Sequence, residues 1–238
     1  MTSSDSSPST ARAPSLTQPG FDPRQVPIAG IDAHLPAVPA QLQTPEALRA
    51  RFAKPPQWTP EVAQEPVFTN RPLAQAAVLL PIVLREEPTV LLTQRTPHLS
   101  SHSGQVAFPG GRVDPEDASL VHTALREAQE EVGLPPDIVE VLGLLPTYVT
   151  GSAFAVSPVV GLVQPPRQLQ PNPHEVAEVF EVPLAFLLNP AHHRRHVYEL
   201  GGIRREWFSM PYEYGSKSYY IWGATAGMLR NFYRFLMA

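Results

Sequence analysis

The sequence predicts a fold of the α/β class, and three observations predict it. Residues 74–84 and 89–93 are apolar runs of the kind that form strands. Residues 117–133 contain no proline, and their apolar side chains recur at alternating steps of four and three, the spacing of one helical face. A glycine-rich turn separates the strands from this helix. With 238 residues, 43% of them hydrophobic, the chain is long enough for one substantial core.

The first 70 residues are predicted to form a proline-rich extension to a domain that spans residues 71–238. Proline, serine, threonine and glutamine crowd this part of the chain, and such a composition resists regular structure. We therefore expect residues 1 to about 25 to be disordered. Thr44 and Pro45 precede good helix formers as far as Phe52, which predicts one short helix. That helix packs on the domain or reaches a partner chain, so the sequence leaves a homodimer open.

Apolar runs continue the predicted sheet through the rest of the chain. The charged turn at residues 85–88 suggests a hairpin between the first two strands. Further strands are predicted at residues 139–149, 154–163 and 203–208. A C-terminal helix is predicted to open at Tyr219 and to carry Leu229, Phe232, Tyr233 and Leu236.

A local basic cluster precedes the last of these strands and comprises His192, His193, Arg194, Arg195 and His196. Histidines four apart can bind one metal ion when they lie on a helix, but no third ligand type is close in sequence. The glycine pair that follows the cluster indicates a hairpin instead. We therefore predict an exposed or ligand-facing basic strand rather than a zinc site.

The helix at residues 117–133 has well-marked limits. Asp117 and Ser119 are candidate N-caps, because their short side chains can accept a hydrogen bond from the first turn. Gly133, followed by Pro135 and Pro136, is a typical helix end. The helix is thus expected to follow the glycine-rich turn at once.

Glu127, Glu130 and Glu131 lie on a common side of this helix, away from its apolar face, because they are spaced i, i+3 and i+4. Like charges at these spacings cost about 0.2 to 0.5 kcal/mol per pair unless a cation offsets them. The cluster is therefore either a solvated helix face or a metal site. Grouped carboxylate oxygens suit Mg²⁺ or Mn²⁺, which bridge readily to phosphate.

Composition excludes several classes of function. The formal net charge of −4 gives no electrostatic footprint for general nucleic-acid binding. The chain has no cysteine, which excludes disulfides, thiolate nucleophiles and cysteine zinc sites. The start has no basic region followed by an apolar run, and no apolar stretch approaches the length of a membrane span. We expect a soluble cytoplasmic protein with no nucleic-acid or membrane partner.

Residues 108–134 resemble the Nudix box, in which a glycine, five residues, a glutamate and seven residues lead to Arg-Glu-aliphatic-x-Glu-Glu-x-Gly-aliphatic. The second half of the pattern is matched from Arg126 to Leu134. The first half departs, because Asp117 stands in place of glutamate and eight residues separate it from Arg126. The resemblance implies an α/β/α sandwich around a mixed β-sheet. It also implies a pyrophosphohydrolase that splits a nucleoside diphosphate linked to another group, with Mg²⁺ or Mn²⁺ as cofactor.

The resemblance also implies roles for particular residues. Glu127 and Glu131 would hold the principal metal ion, Glu130 would hold a second ion or act as the base, and Arg126 would orient the carboxylates. The full implied metal set is Glu127, Glu130, Glu131, the carbonyl of Gly110, and the further candidates Asp117 and Glu175. The implied catalytic set is Glu127, Glu130 and Arg126. Glu178 is a second candidate, beside Glu175, for an acidic residue from the later half of the chain.

The segment before the box resembles the signature of the coenzyme A pyrophosphatase branch of this family. Leu91-Leu92-Thr93-Gln94-Arg95, then Gly104, then Phe108-Pro109-Gly110-Gly111 keep its spacing. Thr96 and Ser100 depart from it, since they replace a serine or alanine and an arginine. The resemblance implies hydrolysis of coenzyme A or its acyl derivatives to 3′,5′-ADP and (acyl) 4′-phosphopantetheine. The implied substrate-binding residues are Arg95, Gly104 and Gly111.

Two alternatives stay open at this point. The first is a Nudix hydrolase that acts on nucleoside triphosphates, dinucleotides or nucleotide sugars, and Ser100 keeps it open because serine offers a phosphate no charge. The second is a nucleotide-binding sensor without catalysis. The complete carboxylate set on the predicted helix argues against the second, since a sensor has no need of it.

Overall fold

The computed structural model of the chain describes residues 21–97, 104–200 and 203–238. Within these residues the strands are β1 (Ile28–Ile31), β2 (Ala74–Val83), β3 (Thr89–Arg95), β4 (Val106–Ala107), β5 (Gly110–Arg112), β6 (Val139–Leu144), β7 (Tyr148–Val149), β8 (Phe154–Val163), β9 (Val176–Pro183), β10 (Arg194–Leu200), β11 (Ile203–Tyr214) and β12 (Lys217–Trp222). The helices are α1 (Pro45–Ala53), α2 (Leu120–Val132), α3 (Leu184–Leu187) and α4 (Gly223–Met237).

Eight of the described strands form one mixed sheet, which carries the residues of interest. Its main path is β4-β3-β2-β8-β6, with β5 paired to β2, β7 to β8 and β9 to β3. β2 and β8 are parallel along their whole lengths, whereas the other described pairs of this sheet are antiparallel. The predicted α/β class with a mixed sheet is therefore confirmed.

Helices cover both faces of the mixed sheet. On one face, α2 packs through Ala124, Ala128 and Val132 against Leu79 and Val83. The opposite face packs in a larger core that includes the buried aromatic and aliphatic residues of α4. A second, antiparallel sheet of order β1-β10-β11-β12 completes this larger core. The site-bearing helix α2 is thus fixed on its own side of the mixed sheet.

Residues 21–70 pack on the rest of the chain. β1 pairs with β10, and α1 lies against β6 with Leu48 fully buried. Thr44 caps α1, because its hydroxyl accepts a hydrogen bond from the amide of Ala47 at 3.2 Å. Of the predicted disordered tail, the first 20 residues lie outside the described part of the chain, and Pro23–Gln25 form a short 3₁₀ helix. The division of the chain at residue 70 stays a prediction.

Several element limits differ from the predicted ones. The strand predicted at residues 139–149 is divided into β6 and β7. The segment predicted to open the last helix at Tyr219 is instead strand β12, and α4 begins at Gly223. In β12 burial alternates, with Tyr219 and Ile221 buried between more exposed neighbours, which is the period of a strand rather than a helix. The strand predicted at residues 154–163 coincides with β8.

The limits of α2 follow from its caps. Ser119 is the N-cap, since its hydroxyl accepts a hydrogen bond from the amide of His122 at 3.1 Å. Asp117, the other candidate, lies before the helix and has different partners. The helix ends at Gly133, whose left-handed conformation (φ 68°) is the expected C-terminal cap.

The basic cluster at residues 192–196, predicted to be an exposed or ligand-facing strand, is exposed at Arg195 but not at two of its histidines. His193 and His196 are buried. His196 forms hydrogen bonds with the carbonyl of Val26 at 3.1 Å and with the hydroxyl of Ser209 at 2.8 Å. The hairpin itself is present, because β10 pairs with β11 in antiparallel register, while the predicted turn at 201–202 lies outside the described residues. These two histidines are core residues, and the prediction of exposure is wrong for them.

His193 belongs to a buried polar network centred on Arg230. The Nη1 of Arg230 donates to Nδ1 of His193 at 3.2 Å, so the proton of the neutral ring lies on Nε2, which donates to the Leu187 carbonyl at 2.8 Å. Arg230 also pairs with Asp32 at 3.1 Å and with Glu61 at 2.8 Å. The network therefore joins α4 to two carboxylates of the N-terminal 70 residues.

His193 provides a test of this network. Burial, opposed by the Leu187 carbonyl and reinforced by the charge of Arg230, lowers the pKa of His193 from 6.5 to about 4. The unfolded chain thus binds more protons, so the stability that depends on the neutral ring is present above pH 6.5 and is lost as the pH falls towards 4. His193→Gln keeps one donor and one acceptor without a titrating group. Urea unfolding should show the wild type losing about 3 kcal/mol relative to this variant over that interval.

The comparison of the wild type with His193→Gln needs no further control, because every other group that titrates in this pH range is common to both proteins. Parallel profiles of unfolding free energy against pH would contradict the assignment of a buried neutral His193.

Candidate active site

The site lies where the glycine turn of β5 meets α2. Gly110 has a φ of 157°, and a Cβ atom there would lie 2.5 Å from the carbonyl oxygen of Ala77 and 2.6 Å from the Cα of Val78. A Cβ atom at Gly111 would overlap the carboxylate of Glu127. Only glycine fits these two positions without displacing its neighbours, so the backbone of β5 approaches the acidic side of α2 closely.

The three glutamates of α2 differ in their surroundings. Glu131 is buried, with 3% of its surface exposed, and one of its oxygens accepts a hydrogen bond from the amide of Gly110 at 3.1 Å. Glu127 is partly buried beneath Gly111, and Glu130 is exposed. The sequence predicted that all three lie on one side of the helix, but it could not predict that their exposure to solvent increases from Glu131 through Glu127 to Glu130.

Burial and like charges nearby disfavour the charged forms of Glu131 and Glu127. Burial raises the pKa of Glu131 to about 7, while the Gly110 amide and Arg95 lower it and the charges of Glu175 and Glu127 raise it further. Burial likewise raises the pKa of Glu127, against the hydrogen bond from Arg126. Glu130 and Glu175 also raise the pKa of Glu127 by their charge. Glu127 and Glu131 therefore lie among like charges in this site.

Arg126 contacts two of these glutamates, but its bidentate pair is with Asp117. Its Nε and Nη2 donate to the two oxygens of Asp117 at 3.0 and 2.9 Å. Its Nη1 donates to Glu127 at 2.9 Å and to Glu130 at 3.2 Å. The hydrogen bond with Asp117 is the main cause that raises the pKa of Arg126. Asp117 therefore holds the guanidinium of Arg126 through Nε and Nη2, and Nη1 of the same group orients Glu127 and Glu130.

Asp117 is surrounded by protein donors. Besides Arg126, its carboxylate accepts hydrogen bonds from the hydroxyl of Thr123 at 2.8 Å and from the amide of Asp114 at 2.9 Å, and it lies 2.9 Å from Nδ1 of His122. Arg126 is the main cause that holds the pKa of Asp117 well below its usual range. These partners account for both carboxylate oxygens, so the geometry favours a positioning role over metal binding for Asp117.

Arg95 and Gly104 flank residues 98–103, which lie outside the described part of the chain and include Ser100. Arg95 ends β3, and its Nη1 lies 3.4 Å from the carboxylate of Glu131. Its Nε is buried and has no hydrogen-bond partner among the described residues. Gly104 has a φ of 68° and is partly buried. The structure thus brings Arg95 to the acidic cluster.

Of the two later acidic candidates, only Glu175 approaches the cluster. Glu175 lies in the loop before β9 and acts by its charge on both Glu127 and Glu131. Glu178 lies within β9, where its carboxylate accepts hydrogen bonds from Lys217 and, at 2.8 Å, from the hydroxyl of Tyr219. Glu178 is therefore engaged with β12 rather than with the glutamates of α2.

Sequence reasoning missed Asn172, whose side-chain amide donates to Glu175 at 3.4 Å. The only signal in the sequence was an asparagine between two prolines, which is typical of any turn.

The donor set suits a hard divalent cation. Carboxylates whose charged form is disfavoured by burial and by one another gain most from such an ion, and oxygen ligands of this type prefer Mg²⁺ or Mn²⁺. In the described part of the chain, no three His, Cys, Asp or Glu side chains are already arranged so that they could hold a metal ion. The composition of the site fits the metal, and the ligand set stays a prediction.

Fold and site together define a class of α/β hydrolases in which a glycine turn leads into an acidic helix on a mixed sheet. A family model described as the NUDIX domain matches residues 73–200. An uncharacterized Nudix hydrolase NudL of Salmonella dublin is 49% identical over 169 residues, which are 70% of this chain and 85% of that protein. A NudL of Shigella flexneri is 47% identical over 173 residues, 72% of this chain and 85% of that protein. The chain belongs to the Nudix family of hydrolases.

Solved structures with a similar fold are more distant. The binary complex of the Caenorhabditis elegans Ap4A hydrolase aligns with a TM-score of 0.40 and 22% identity, over 46% of this chain and 80% of that one. The NUDIX domain of Shewanella oneidensis NrtR, complexed with ADP ribose, aligns with a TM-score of 0.39 and 22% identity, over 58% of this chain and 84% of that one. These values say nothing about substrate.

Among the helices in the described ranges, none combines the length and the apolar character that crossing a membrane requires.

The Asp117–Arg126 pair can be tested by removing one charge. Asp117→Asn keeps the size of the side chain but weakens its hold on the guanidinium, so Arg126 should no longer orient Glu127 and Glu130. We expect nucleotide hydrolysis to fall about 10- to 100-fold, the usual effect of losing a residue that orients ligands. Steady-state rates with the best substrate would measure it.

Asp114→Asn is the matched control, because Asp114 lies 3.6 Å from the same guanidinium on an exposed side chain. That variant should keep a near-normal rate. Equal rates for the two variants would show that the buried pair does not position the site.

Proposed function

We propose that this Nudix hydrolase splits the diphosphate bond of coenzyme A or its acyl derivatives, to give 3′,5′-ADP and (acyl) 4′-phosphopantetheine. One observation carries the proposal. Arg95 and Gly110, which lie near the two ends of the segment that resembles the coenzyme A signature, both contact the carboxylate of Glu131. The segment thus begins and ends at the acidic cluster, where a diphosphate would have to lie.

The charges of the site fit a diphosphate substrate. Glu127, Glu130 and Glu131 would hold Mg²⁺ or Mn²⁺, with the Gly110 carbonyl and Glu175 as further ligands. When bound, the metal neutralises charge on the diphosphate and lowers the pKa of the attacking water. Arg95, whose Nη1 lies 3.4 Å from Glu131, would add a cationic donor for a phosphate oxygen.

Two carboxylates of the cluster are candidates for the base that takes a proton from the attacking water. Glu130 is exposed and accepts a hydrogen bond from only one nitrogen of Arg126, at 3.2 Å, so solvent reaches its carboxylate. Glu175 is the second candidate for the base, because it comes from the loop before β9 and its charge acts on Glu131. Arg126 stays fixed on Asp117 and keeps Glu127 in place. Asp117 acts as its anchor.

Glu131→Gln tests the central carboxylate. Glutamine still accepts the hydrogen bond from the Gly110 amide but brings no charge to the metal. Turnover should therefore fall by about 100-fold or more, beyond the effect of residues that only orient ligands. The fold should be retained, because a neutral side chain suits this buried position better than a carboxylate does. Metal-dependent rates and thermal unfolding measure the two effects separately.

Glu178→Gln is the control for this variant, since Glu178 is engaged by Lys217 and Tyr219. It should turn over substrate at a near-normal rate. Near-normal turnover of Glu131→Gln with Mg²⁺ would contradict the role of Glu131.

The substrate is tested by product analysis. Coenzyme A, ATP, NADH and ADP-ribose are each incubated with the purified protein and Mg²⁺ or Mn²⁺, and the products are separated by chromatography. We expect 3′,5′-ADP and 4′-phosphopantetheine to form fastest. The Glu131→Gln protein, purified in the same way, controls for a contaminating hydrolase.

Each other result has a distinct meaning. Faster cleavage of another nucleotide would show that this nucleotide, and not coenzyme A, is the substrate. Ser100 would then be the residue to which we attribute the change of substrate. Cleavage of none would favour a sensor that binds nucleotides without hydrolysing them.

A further inference from the structure

The loop that carries Glu175 is joined to the end of α2 by backbone hydrogen bonds. The amide of Gln170 donates to the carbonyl of Val132 at 2.9 Å, and the amide of Asn172 donates to the carbonyl of Glu131 at 2.8 Å. These carbonyls belong to the last turn of α2, where they have no partner within the helix. The loop therefore caps the same helix that presents the glutamates, and it does so at the residue Glu131 itself.

The loop is also hydrogen-bonded to Thr96, the residue that follows β3. The amide of Thr96 donates to the carbonyl of Glu175 at 3.0 Å, and its hydroxyl donates to the carbonyl of His174 at 3.2 Å. Thr96 is buried and follows Arg95 directly. The loop is thus held between the two elements that bring Glu131 and Arg95 to the site. The hydroxyl bond gives a physical role to one of the two residues that depart from the coenzyme A signature.

Within the loop, Asn172 uses both ends of its side chain. Its Oδ1 accepts from the amide of His174 at 3.1 Å, and its Nδ2 donates to the carboxylate of Glu175 at 3.4 Å. Its carbonyl accepts from the amides of Glu175 at 3.1 Å and Val176 at 2.8 Å. Asn172 therefore shapes the turn and contacts the carboxylate at its end.

These contacts oppose a repulsion. Glu175 acts on Glu127 and Glu131 as a like charge, and without restraint a glutamate on a polar loop would turn towards water. We propose that Asn172 and Thr96 are positioning residues that hold Glu175 against the glutamates of α2 as the fourth carboxylate of the metal site. The inference depends on the proposed function only in that these carboxylates bind a divalent cation, whichever nucleotide is hydrolysed.

The test measures binding of Mn²⁺ alone to the full-length protein, from the electron paramagnetic resonance signal of the free ion. The variants are Asn172→Ala and Thr96→Val, each made with Glu175 present and in the Glu175→Gln background. With Glu175 present, each should weaken Mn²⁺ binding about tenfold, as residues that orient metal ligands do. In the Glu175→Gln background, neither should weaken it further, because the group that they position is already gone.

Two matched variants separate positioning from general damage to the loop. Gln170→Ala removes a side chain from the same loop but leaves its amide bond to α2, so it should bind Mn²⁺ as the wild type does. Thr96→Ser keeps the hydroxyl and should restore most of the binding that Thr96→Val loses. Near-ultraviolet circular dichroism of all variants verifies that the core is intact.

Three results would overturn the inference. They are unchanged Mn²⁺ binding in both single variants, an equal loss with and without the Glu175 carboxylate, and absence of Mn²⁺ binding by the wild type. Because no nucleotide is present, failure to hydrolyse coenzyme A would refute the proposed substrate and leave this result standing.

Discussion

The site depends on one constraint, the burial of the Glu131 carboxylate beside other carboxylates. A buried charge needs partners, and Glu131 has the amide of Gly110 on one oxygen and Arg95 on the other. The first contact requires glycine at position 110, since a Cβ atom would meet the backbone of β2 there. The second requires β3 to end beside α2. The position of this carboxylate thus fixes the path of the glycine turn and the end of a central strand.

A second buried charge, that of Arg230, ties the N-terminal segment to the domain. Asp32 and Glu61 neutralise it, and both come from the part of the chain whose composition suggests an extension. Removing one member of such a pair typically costs about 3 to 5 kcal/mol, because the other charge stays buried. Residues 21–70 are therefore part of the folded structure, although the NUDIX model matches only residues 73–200. Proline content alone is a poor guide to disorder when polar side chains meet a buried partner.

The sequence was sufficient where local signals act alone. Spacing and caps predicted α2 and its acidic side, and the apolar run predicted β8. It failed where distant contacts decide. His193 lies in a basic run that indicates exposure, but Arg230, which is 37 residues away, fixes it in the core. The Tyr and Trp residues of β12 fit either a helix or a strand, and pairing with β11 decides. Asn172 has no chemical signal at all until the loop is seen against α2.

The two arginines of the site differ in how many of their nitrogens are hydrogen-bonded. Arg126 is fully engaged, because its fork is closed on Asp117 and its remaining nitrogen reaches two glutamates. Its charge is thereby largely matched by Asp117, so it does little to balance the charges of Glu127 and Glu130. Arg95 makes one long contact with Glu131 at 3.4 Å and keeps an unpartnered Nε among the described residues. Arg126 therefore fixes the geometry of the site, whereas Arg95 brings a second cation to the most buried carboxylate, Glu131.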